Sequence, residues 1–465
     1  MPTSYATVPR YGRSSTLELV VAYYLTWVEK YGLFFVTAYA LGLVTPELSP
    51  KVALMDLDLE ATVASKSGSN AVKQLFWMGC LVHYMVLAAR DGGRVLRYRF
   101  VPILLTLGFV VLISAFFSSY PGTAIKRAIF QIVFLIVVTL SIYFAFKRGT
   151  IGICVTRAVY LQIAMVVLAI GVGGGMNHAG ELAGYAKVKN VMGHYIASAF
   201  ILLLLVEFVE SRKVRHSLKL KLILMGMLVL TVSKTSIAVV IMILMASHLP
   251  LLANMVVSYT LIIAWFMLFV IVPPISFFLN TYWNFAMEVS PSFFTQRGEI
   301  WDACYNDLAL SGKYAFGFGY GSYFSAPDIP YSFDIKWSFL RFISSAHNGY
   351  IEVLLQFGFI LSAATLYVLL RLMGLIRFSK LHAMLFFPLI HNTTESSLVR
   401  DHHTVWFLFL VICLCAALVH DVHRRQALAQ WRMRRQQTLA KSKKAKTYYL
   451  RDREDGLVVM ERRDR

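Results

Sequence analysis

His347 is the residue whose type and position best suit it to do chemistry. It lies in the stretch SSAHNGYIEVLLQFG, which changes from polar to apolar and predicts the start of a helix. An imidazole there can accept a proton from a hydroxyl group, a general-base role that contributes about 10²–10⁴ to a rate. Ser345 is predicted to cap the helix, and Asn348 to hydrogen-bond to nearby backbone. Glu352 and Gln356 can orient His347, bind substrate hydroxyls or form interhelical hydrogen bonds. A structural histidine at a helix cap is the alternative.

Arg297 opens the segment RGEIWDACYNDL, which predicts an amphipathic helix. The apolar face of that helix carries Ile300, Trp301, Cys304 and Leu308. A guanidinium can bind a phosphate through two parallel hydrogen bonds, which a lysine cannot do. A surface ion pair with Glu299 or Asp302 is the alternative. Trp301 is interpreted as a membrane-interface anchor rather than a platform for a sugar.

Further cations fall in four polar stretches that are predicted to share one side of a membrane, at 184–195, 232–236, 277–348 and 391–403. The cations of interest are Lys189, Lys234, Arg297, Arg341 and Arg400. Charges at the ends of spans usually face the interior of a helix bundle. Convergence of these side chains would form an anion site, for which a lipid pyrophosphate is a natural ligand. Glu395 and Arg400 are predicted to form an ion pair that closes this site.

Neither a nucleotide-binding loop nor a metal site is predicted. Gly317, Gly319 and Gly321 alternate with aromatic residues but lack the Gly-Lys-Ser/Thr of phosphate-binding loops, so a turn or a close backbone approach to substrate is expected. The outer stretches contain no Asp-x-Asp or His/Asp cluster, so we expect no metal and no cofactor. The 5 cysteines form no Cys-x-x-Cys pair, so neither a disulfide framework nor a zinc site is expected.

The elements that must position these residues are membrane helices. Of 465 residues 58% are hydrophobic and 15% charged, and the mean hydropathy is +0.62. The apolar runs are continuous rather than alternating, which excludes spanning strands. We predict an all-α polytopic membrane protein of about twelve transmembrane helices with one large outer loop that contains short helices. The predicted spans are 23–44, 73–89, 100–117, 128–146, 151–171, 192–209, 220–233, 235–249, 255–276, 349–370, 381–391 and 404–420.

Lysine and arginine are concentrated in alternate connections, which predicts that both termini are cytoplasmic. Lys126 and Arg127 are an exception, because they fall at the outer end of a span. This pattern and a basic tail account for the net charge of +20, so no nucleic acid is expected as a partner. The predicted organisation is an N-terminal transmembrane bundle (1–276), the outer loop (277–348), C-terminal transmembrane helices (349–421) and a basic cytoplasmic tail (422–465). The tail is predicted to form a short helix on the anionic membrane surface, followed by disorder.

Three segments together resemble a known family. RGEIWDACYNDL, FGFGYGSYF and AHNGYIEVLLQFG are similar to the paired signature of the O-antigen ligase and Wzy-type polymerase superfamily. The resemblance implies a bacterial glycosyltransferase of the cytoplasmic (inner) membrane, with its active site on the periplasmic face, that uses lipid-pyrophosphate-linked glycans. His347 and Asn348 match the family's His-Asn pair, whose histidine is the expected catalytic residue. Arg297 matches the arginine of its Arg-x-x-x-Trp element.

Other positions resemble the family with departures. Lys234 stands in Ser-Lys-Thr, where the superfamily commonly has an arginine that contacts the lipid-linked phosphate. Lys189-Asn190 resembles the Lys-Asn element of exopolysaccharide polymerase members, which favours a polymerase. Gln356 stands where the family often has glutamate.

The resemblance therefore implies inverting, metal-independent transfer from an undecaprenyl-pyrophosphate-linked oligosaccharide. We expect His347 and Arg297 to be catalytic. The residues expected to bind substrate are Lys189, Asn190, Lys234, Arg341, Asn348, Glu352 and Arg400. The acceptor is another lipid-linked repeat unit for a polymerase, or lipid A-core for a ligase; membrane lipids, a chain-length regulator and a flippase are further expected partners. A transporter of lipid-linked sugars and a non-catalytic export component are the alternatives from other classes.

Overall fold

The computed structural model describes residues 16–48, 71–210, 216–248, 260, 264, 297–324 and 345–454. Within these residues the fold is all-α and contains no β-strand, which confirms the predicted class. The helices are α1 (Thr16–Ala40), α2 (Ala71–Arg90), α3 (Phe100–Phe116), α4 (Pro121–Arg148), α5 (Ile151–Gly171), α6 (Lys189–Glu210), α7 (Ser217–Leu230), α8 (Lys234–His248), α9 (Arg297–Leu310), α10 (Gly349–Met373), α11 (Ser379–Met384), α12 (Phe386–Thr394) and α13 (Thr404–Glu454).

Among the described residues, 7 helices are long and apolar enough to cross a membrane, namely α1, α2, α4, α5, α6, α10 and α13. α3 and the first part of α8 are apolar but shorter. The predicted span at 381–391 is instead divided between the short helices α11 and α12. The predicted span at 255–276 lies outside the described residues, apart from two positions. The chain is thus a multi-pass membrane protein.

The most buried helices are apolar on every side. α4 carries an apolar run from Val133 to Ala145, interrupted by Thr139 and Ser141, and nearly all of it is buried. The first part of α13, residues 404–416, is buried throughout. Helices without a polar face are expected in the interior of a bundle, so these two segments form much of its core.

α10 is interrupted at Gly358, whose backbone angles (φ 61°, ψ −174°) are not helical. The break leaves backbone carbonyl groups without helical partners, and buried carbonyls require other donors. Phe318 N donates to Leu355 O at 2.8 Å, and Gly319 N donates to Gln356 O at 3.0 Å. The glycine-rich segment of the outer loop therefore completes the hydrogen bonding of the broken helix.

The glycines make this docking possible. Gly317, Gly319 and Gly321 all have positive φ, at 68°, 89° and 67°, which confirms the predicted turn. A Cβ added at Gly317 would lie 2.5 Å from the backbone nitrogen of Gly358. The close backbone approach predicted for these glycines is therefore an approach to α10. An approach to substrate stays a prediction.

The N-terminal ends of α6 and α8 lie side by side with the end of α12. A Cβ added at Gly193 of α6 would lie 2.5 Å from the Cβ of Ser233, which directly precedes α8. The rings of His194 in α6 and His391 in α12 are 5.3 Å apart between centroids. Three of the four predicted polar stretches thus meet at one end of the bundle.

The chain divides into two compact units, Met1–Ala416 and Ala417–Arg465. In the second unit α13 continues to Glu454, so the tail helix is longer than the short helix predicted. Its described side chains are mostly exposed, and the guanidinium of Arg435 lies 5.3 Å from the ring centroid of Trp431. Residues 455–465 lie outside the described residues.

Candidate active site

The carboxylate of Glu395 joins the two residues predicted to be catalytic. Nδ1 of His347 lies 3.1 Å from Glu395 Oε2, and Nη2 of Arg297 lies 3.3 Å from Glu395 Oε1. Nη1 of Arg297 donates to the backbone oxygen of Thr394. Three segments that are far apart in sequence therefore meet at one carboxylate, and of the five cations expected to converge only Arg297 contacts it within the described ranges.

Glu395 is held in place by the end of α12. Oδ1 of Asn392 accepts hydrogen bonds from Ser397 N at 3.0 Å and from Leu398 N at 2.7 Å, which closes the turn that carries Glu395. The side chain of Asn392 also abuts Gly349, where a Cβ would overlap its carboxamide. The absence of a side chain at Gly349 therefore allows α12 to approach the start of α10, which follows His347 directly.

α9 fixes the other side of the site. Trp301 Nε1 donates to Ala346 O at 2.9 Å, and Trp301 is only 3% exposed. The interpretation of Trp301 as a membrane-interface anchor was therefore wrong, because its ring is in the core and holds the backbone beside His347. The predicted apolar face of α9 is confirmed, since Ile300, Cys304 and Leu308 are also buried.

His347 has a left-handed backbone conformation, with φ 50°. Asn348 is the N-cap of α10, and its Oδ1 accepts from Tyr350 N at 3.0 Å and Ile351 N at 3.3 Å. The predicted cap, Ser345, instead accepts from His347 N at 3.4 Å, so that assignment was wrong. A left-handed conformation in a residue with a side chain costs about 1–3 kcal/mol and persists only where the surroundings impose it. Here it turns the imidazole toward Glu395.

The electrostatics favour an ionised Glu395. Partial burial would raise its pKa, but the hydrogen bond and charge of His347 and the charge of Arg297 outweigh burial and lower it. An ionised carboxylate can only accept hydrogen bonds, so Nδ1 of His347 donates to it. In the neutral ring Nε2 then carries the lone pair. The side chain of His347 is 37% exposed, so a hydroxyl group can reach the ring, as a general base requires.

In the structure both Nη atoms of Arg297 contact Thr394 and Glu395. The expected pair of hydrogen bonds to a phosphate stays a prediction. The alternative partners Glu299 and Asp302 have side chains outside the described residues. Arg297 thus positions Glu395 and adds positive charge beside it.

The predicted lysines lie near the site without touching Glu395. Lys189 begins α6, and its Nζ is 2.6 Å from Glu181 Oε1. Asn190 and Lys234 are exposed at the starts of α6 and α8. The positive ends of two helix dipoles are therefore adjacent, an arrangement that favours anions.

The remaining predicted residues have other environments. Glu352 is 8% exposed, and its Oε1 accepts from Gln356 Nε2 at 3.2 Å. Arg400 donates to Ser396 O at 3.4 Å, and no ion pair joins it to Glu395 among the described residues, so the predicted Glu395–Arg400 pair was wrong. Arg341 lies outside the described residues.

Sequence reasoning missed the role of Glu395 and the environment of Arg400. Near Arg400 lie Lys73, Asp401 and Arg127, and Nη1 of Arg127 donates to the backbone oxygen of Gly321. The sequence contained one signal for this, because Arg127 departs from the charge pattern of the connections. In the part of the chain that the structure describes, no group of three or more His, Cys, Asp or Glu side chains is arranged to hold a metal ion.

Comparison with known proteins agrees with the resemblance seen in the sequence. Residues 220–366 match the family model described as O-Antigen ligase. No curated protein and no solved structure matches the chain. The matched range contains α9, the glycine-rich turn, His347 and most of α10. Residues 220–366, about a third of the chain, are therefore similar to the O-antigen ligase family, which supports the resemblance to the O-antigen ligase and Wzy-type superfamily.

Proposed function

We propose that the protein is an inverting, metal-independent glycosyltransferase that polymerises glycan repeat units carried on undecaprenyl pyrophosphate. The observation that carries the proposal is the contact of His347 and Arg297 with the two oxygens of Glu395. The family match supports glycosyl transfer in general. The Lys189-Asn190 element favours a polymerase over a ligase.

The contacts of Glu395 support the following chemical step. Nε2 of His347 takes the proton of the acceptor hydroxyl, and the oxygen attacks the anomeric carbon of the donor sugar from the side opposite the pyrophosphate. The bond between that carbon and the pyrophosphate oxygen breaks, and its electron pair leaves with the lipid pyrophosphate. The configuration at the anomeric carbon is inverted. Glu395 stabilises the imidazolium that forms, as a carboxylate beside a catalytic histidine does.

The leaving pyrophosphate requires positive charge that is already in place. Lys189 and Lys234 supply it from the adjacent N-terminal ends of α6 and α8, and Arg297 adds charge from the other side of Glu395. The ion pair of Lys189 with Glu181 keeps its Nζ in a defined position. These contacts support a role in donor binding, and Asn190 at the same helix end is a further hydrogen-bonding group for the glycan.

The second candidate is an O-antigen ligase that transfers the glycan to lipid A-core, which the match to the O-antigen ligase family favours. The two candidates share the donor and differ in the acceptor. Purified protein in proteoliposomes with the lipid-linked repeat unit alone yields a ladder of longer lipid-linked glycans if it is a polymerase. A ligase yields product only when lipid A-core is added.

The same assay tests the general base. His347→Ala is expected to abolish product formation, and His178→Ala, at an exposed position, is the matched control. Normal product formation by a correctly inserted His347→Ala variant would show that His347 is not the base.

A further inference from the structure

A second group of charged residues lies at the same end of the bundle and is not used by the chemistry above. This second cationic cluster consists of Lys73 at the start of α2, Arg127 in the first turns of α4 and Arg400 in the turn before α13, around the carboxylate of Asp401. Lys73 Nζ is 4.0 Å from Asp401 Oδ2. The charges of all four residues act on one another.

The cluster rests on a rigid support. Asp401 Oδ2 is 2.9 Å from Nε2 of His402, whose side chain is 4% exposed. The imidazole of His402 is enclosed by aromatic rings, with centroid distances of 4.9 Å to Trp77, 5.7 Å to Phe134 and 5.9 Å to Tyr39. A carboxylate held by an enclosed ring has little freedom to follow its partners, so Asp401 fixes the position of Lys73.

The glycine-rich turn holds the other side of the cluster. Tyr320 OH donates to Val399 O at 2.9 Å and accepts from Asp401 N at 3.2 Å. The next residue, Gly321, accepts a hydrogen bond from Arg127 through its backbone oxygen. A Cβ at Gly321 would lie 2.6 Å from Cδ of Arg127. The backbone at Gly321 therefore packs closely against the Arg127 side chain and positions its guanidinium.

The charge of the cluster is not balanced. Three cations surround one carboxylate, and among the described residues no ion pair is formed by Arg127 or Arg400. Burial would raise the pKa of Asp401, but the contact with His402 and the charges of Lys73 and Arg400 hold it well below its usual range. Asp401 therefore contributes one negative charge, and the charge of Glu352 also acts on Arg127, so the three cations outnumber the acids near them. The cluster is open to solvent, because Arg400 is exposed and the side chain of Lys73 is 36% exposed.

We propose that the second cationic cluster binds a phosphate-type anion, and that this anion is the phosphate or pyrophosphate of the second substrate, the glycan acceptor. The identity of the ligand as an acceptor rests on the proposed transferase function, whereas the anion site itself does not. Two guanidinium groups and an ammonium group suit the several oxygens of a phosphate, since guanidinium groups bind such oxygens in pairs. The turn 395–401 connects this cluster to Glu395, so one segment links the catalytic carboxylate to the proposed anchor of the acceptor.

Binding of inorganic pyrophosphate tests the site without turnover. The full-length His347→Ala protein is placed in nanodiscs of neutral phosphatidylcholine, and pyrophosphate is titrated by calorimetry. Two binding sites are expected, the donor site at Lys189 and Lys234 and the second cationic cluster. Adding Arg400→Gln should weaken one of them by at least about tenfold. Adding Lys126→Gln, next to Arg127 but exposed, should leave both unchanged.

The outcomes separate this proposal from the proposed function. If pyrophosphate binds the Arg400→Gln and Lys126→Gln proteins with equal stoichiometry and affinity, the second cationic cluster is not an anion site, whatever the role of His347. If a lipid phosphate occupies the second cationic cluster in nanodiscs of anionic phosphatidylglycerol and Arg400→Gln releases it, the ligand is a membrane lipid. That result overturns the assignment of the anion to the acceptor. Loss of one pyrophosphate site on Arg400→Gln in both kinds of nanodisc supports the proposal, even if His347 proves not to be the base.

Discussion

Nδ1 of His347 and Oε2 of Glu395 are 3.1 Å apart, although the two residues belong to separate segments on either side of α10. In the proposed mechanism the contact sets the tautomer of the imidazole and leaves Nε2 to take the proton of the acceptor hydroxyl. It also puts a negative charge next to the ring that becomes cationic when it takes a proton. The pair therefore acts as one unit, with Arg297 holding the carboxylate from its other oxygen.

Replacement of the carboxylate tests this unit. In Glu395→Gln the amide oxygen can still accept from Nδ1, but the charge that stabilises the imidazolium is lost. We expect kcat of glycosyl transfer to fall by about 10²-fold with little change in KM, because the charge acts on the proton transfer. Glu47→Gln is the control, since the Glu47 side chain is 60% exposed and pairs with Lys187. A change in KM with an unchanged kcat would contradict the assignment.

Arg297→Lys separates charge from geometry. A lysine retains the charge but lacks the planar pair of Nη groups that contact Thr394 O and Glu395, so it holds the Glu395 carboxylate less rigidly. We expect activity to fall by about tenfold or more while the protein still inserts and purifies normally. Arg377→Lys, at an exposed position, should have no effect. Equal activity of the two variants would show that the double contact of Arg297 is not needed.

The docking of the glycine-rich turn into the break of α10 gives a prediction about stability. Gly358→Ala places a Cβ against the backbone of residues 315–317 at a positive φ of 61°. We expect destabilisation by about 2 kcal/mol or more, because both the conformation and the space disfavour a side chain. Gly226→Ala, in a helix with nothing within 4 Å, should be neutral or stabilising by up to about 1 kcal/mol. Thermal unfolding in detergent compares the two; similar unfolding midpoints would mean that the docking contributes little.

The sequence predicted the parts of this protein that depend on local patterns. The apolar runs predicted the positions of the helices, and the residue types of His347 and Arg297 indicated where chemistry could occur. The amphipathic pattern also predicted the buried face of α9. Each of these depends on neighbours within one or two turns of helix.

The pairings could not be predicted, because they depend on how the helix ends pack. Glu395 was assigned to Arg400, which is close in sequence, but the close approach of Asn392 to Gly349 turns its carboxylate toward His347 instead. Tryptophan is a residue type common at membrane interfaces, which suggested an anchor. The hydrogen bond from the Trp301 indole to Ala346 O, which shows a buried donor, appears only in the folded structure. These contacts join residues from different segments, and nothing in their spacing indicates them.

The pH dependence of stability provides the last prediction, through Asp307 in α9. Asp307 is 2% exposed, and burial raises its pKa from 3.8 to about 6, although a hydrogen bond from Tyr323 opposes the rise. Since the folded state disfavours the ionised form, the contribution of this group to stability is fully present below pH 3.8 and is lost as the pH rises through about 6. The rise corresponds to at most about 3 kcal/mol.

Asp307→Asn removes this ionisation and keeps the size of the side chain. We therefore expect the variant to be more stable than the original protein at pH 7.5, and the difference to shrink or reverse at pH 5. Thermal unfolding midpoints of the detergent-solubilised proteins at the two pH values provide the measurement, with Asn306→Asp on the same helix as a control for an added carboxylate. An identical difference between Asp307→Asn and the original protein at both pH values would mean that Asp307 does not titrate in this range. In that case the interior around α9 must stabilise the charged carboxylate by contacts stronger than the interaction with Tyr323.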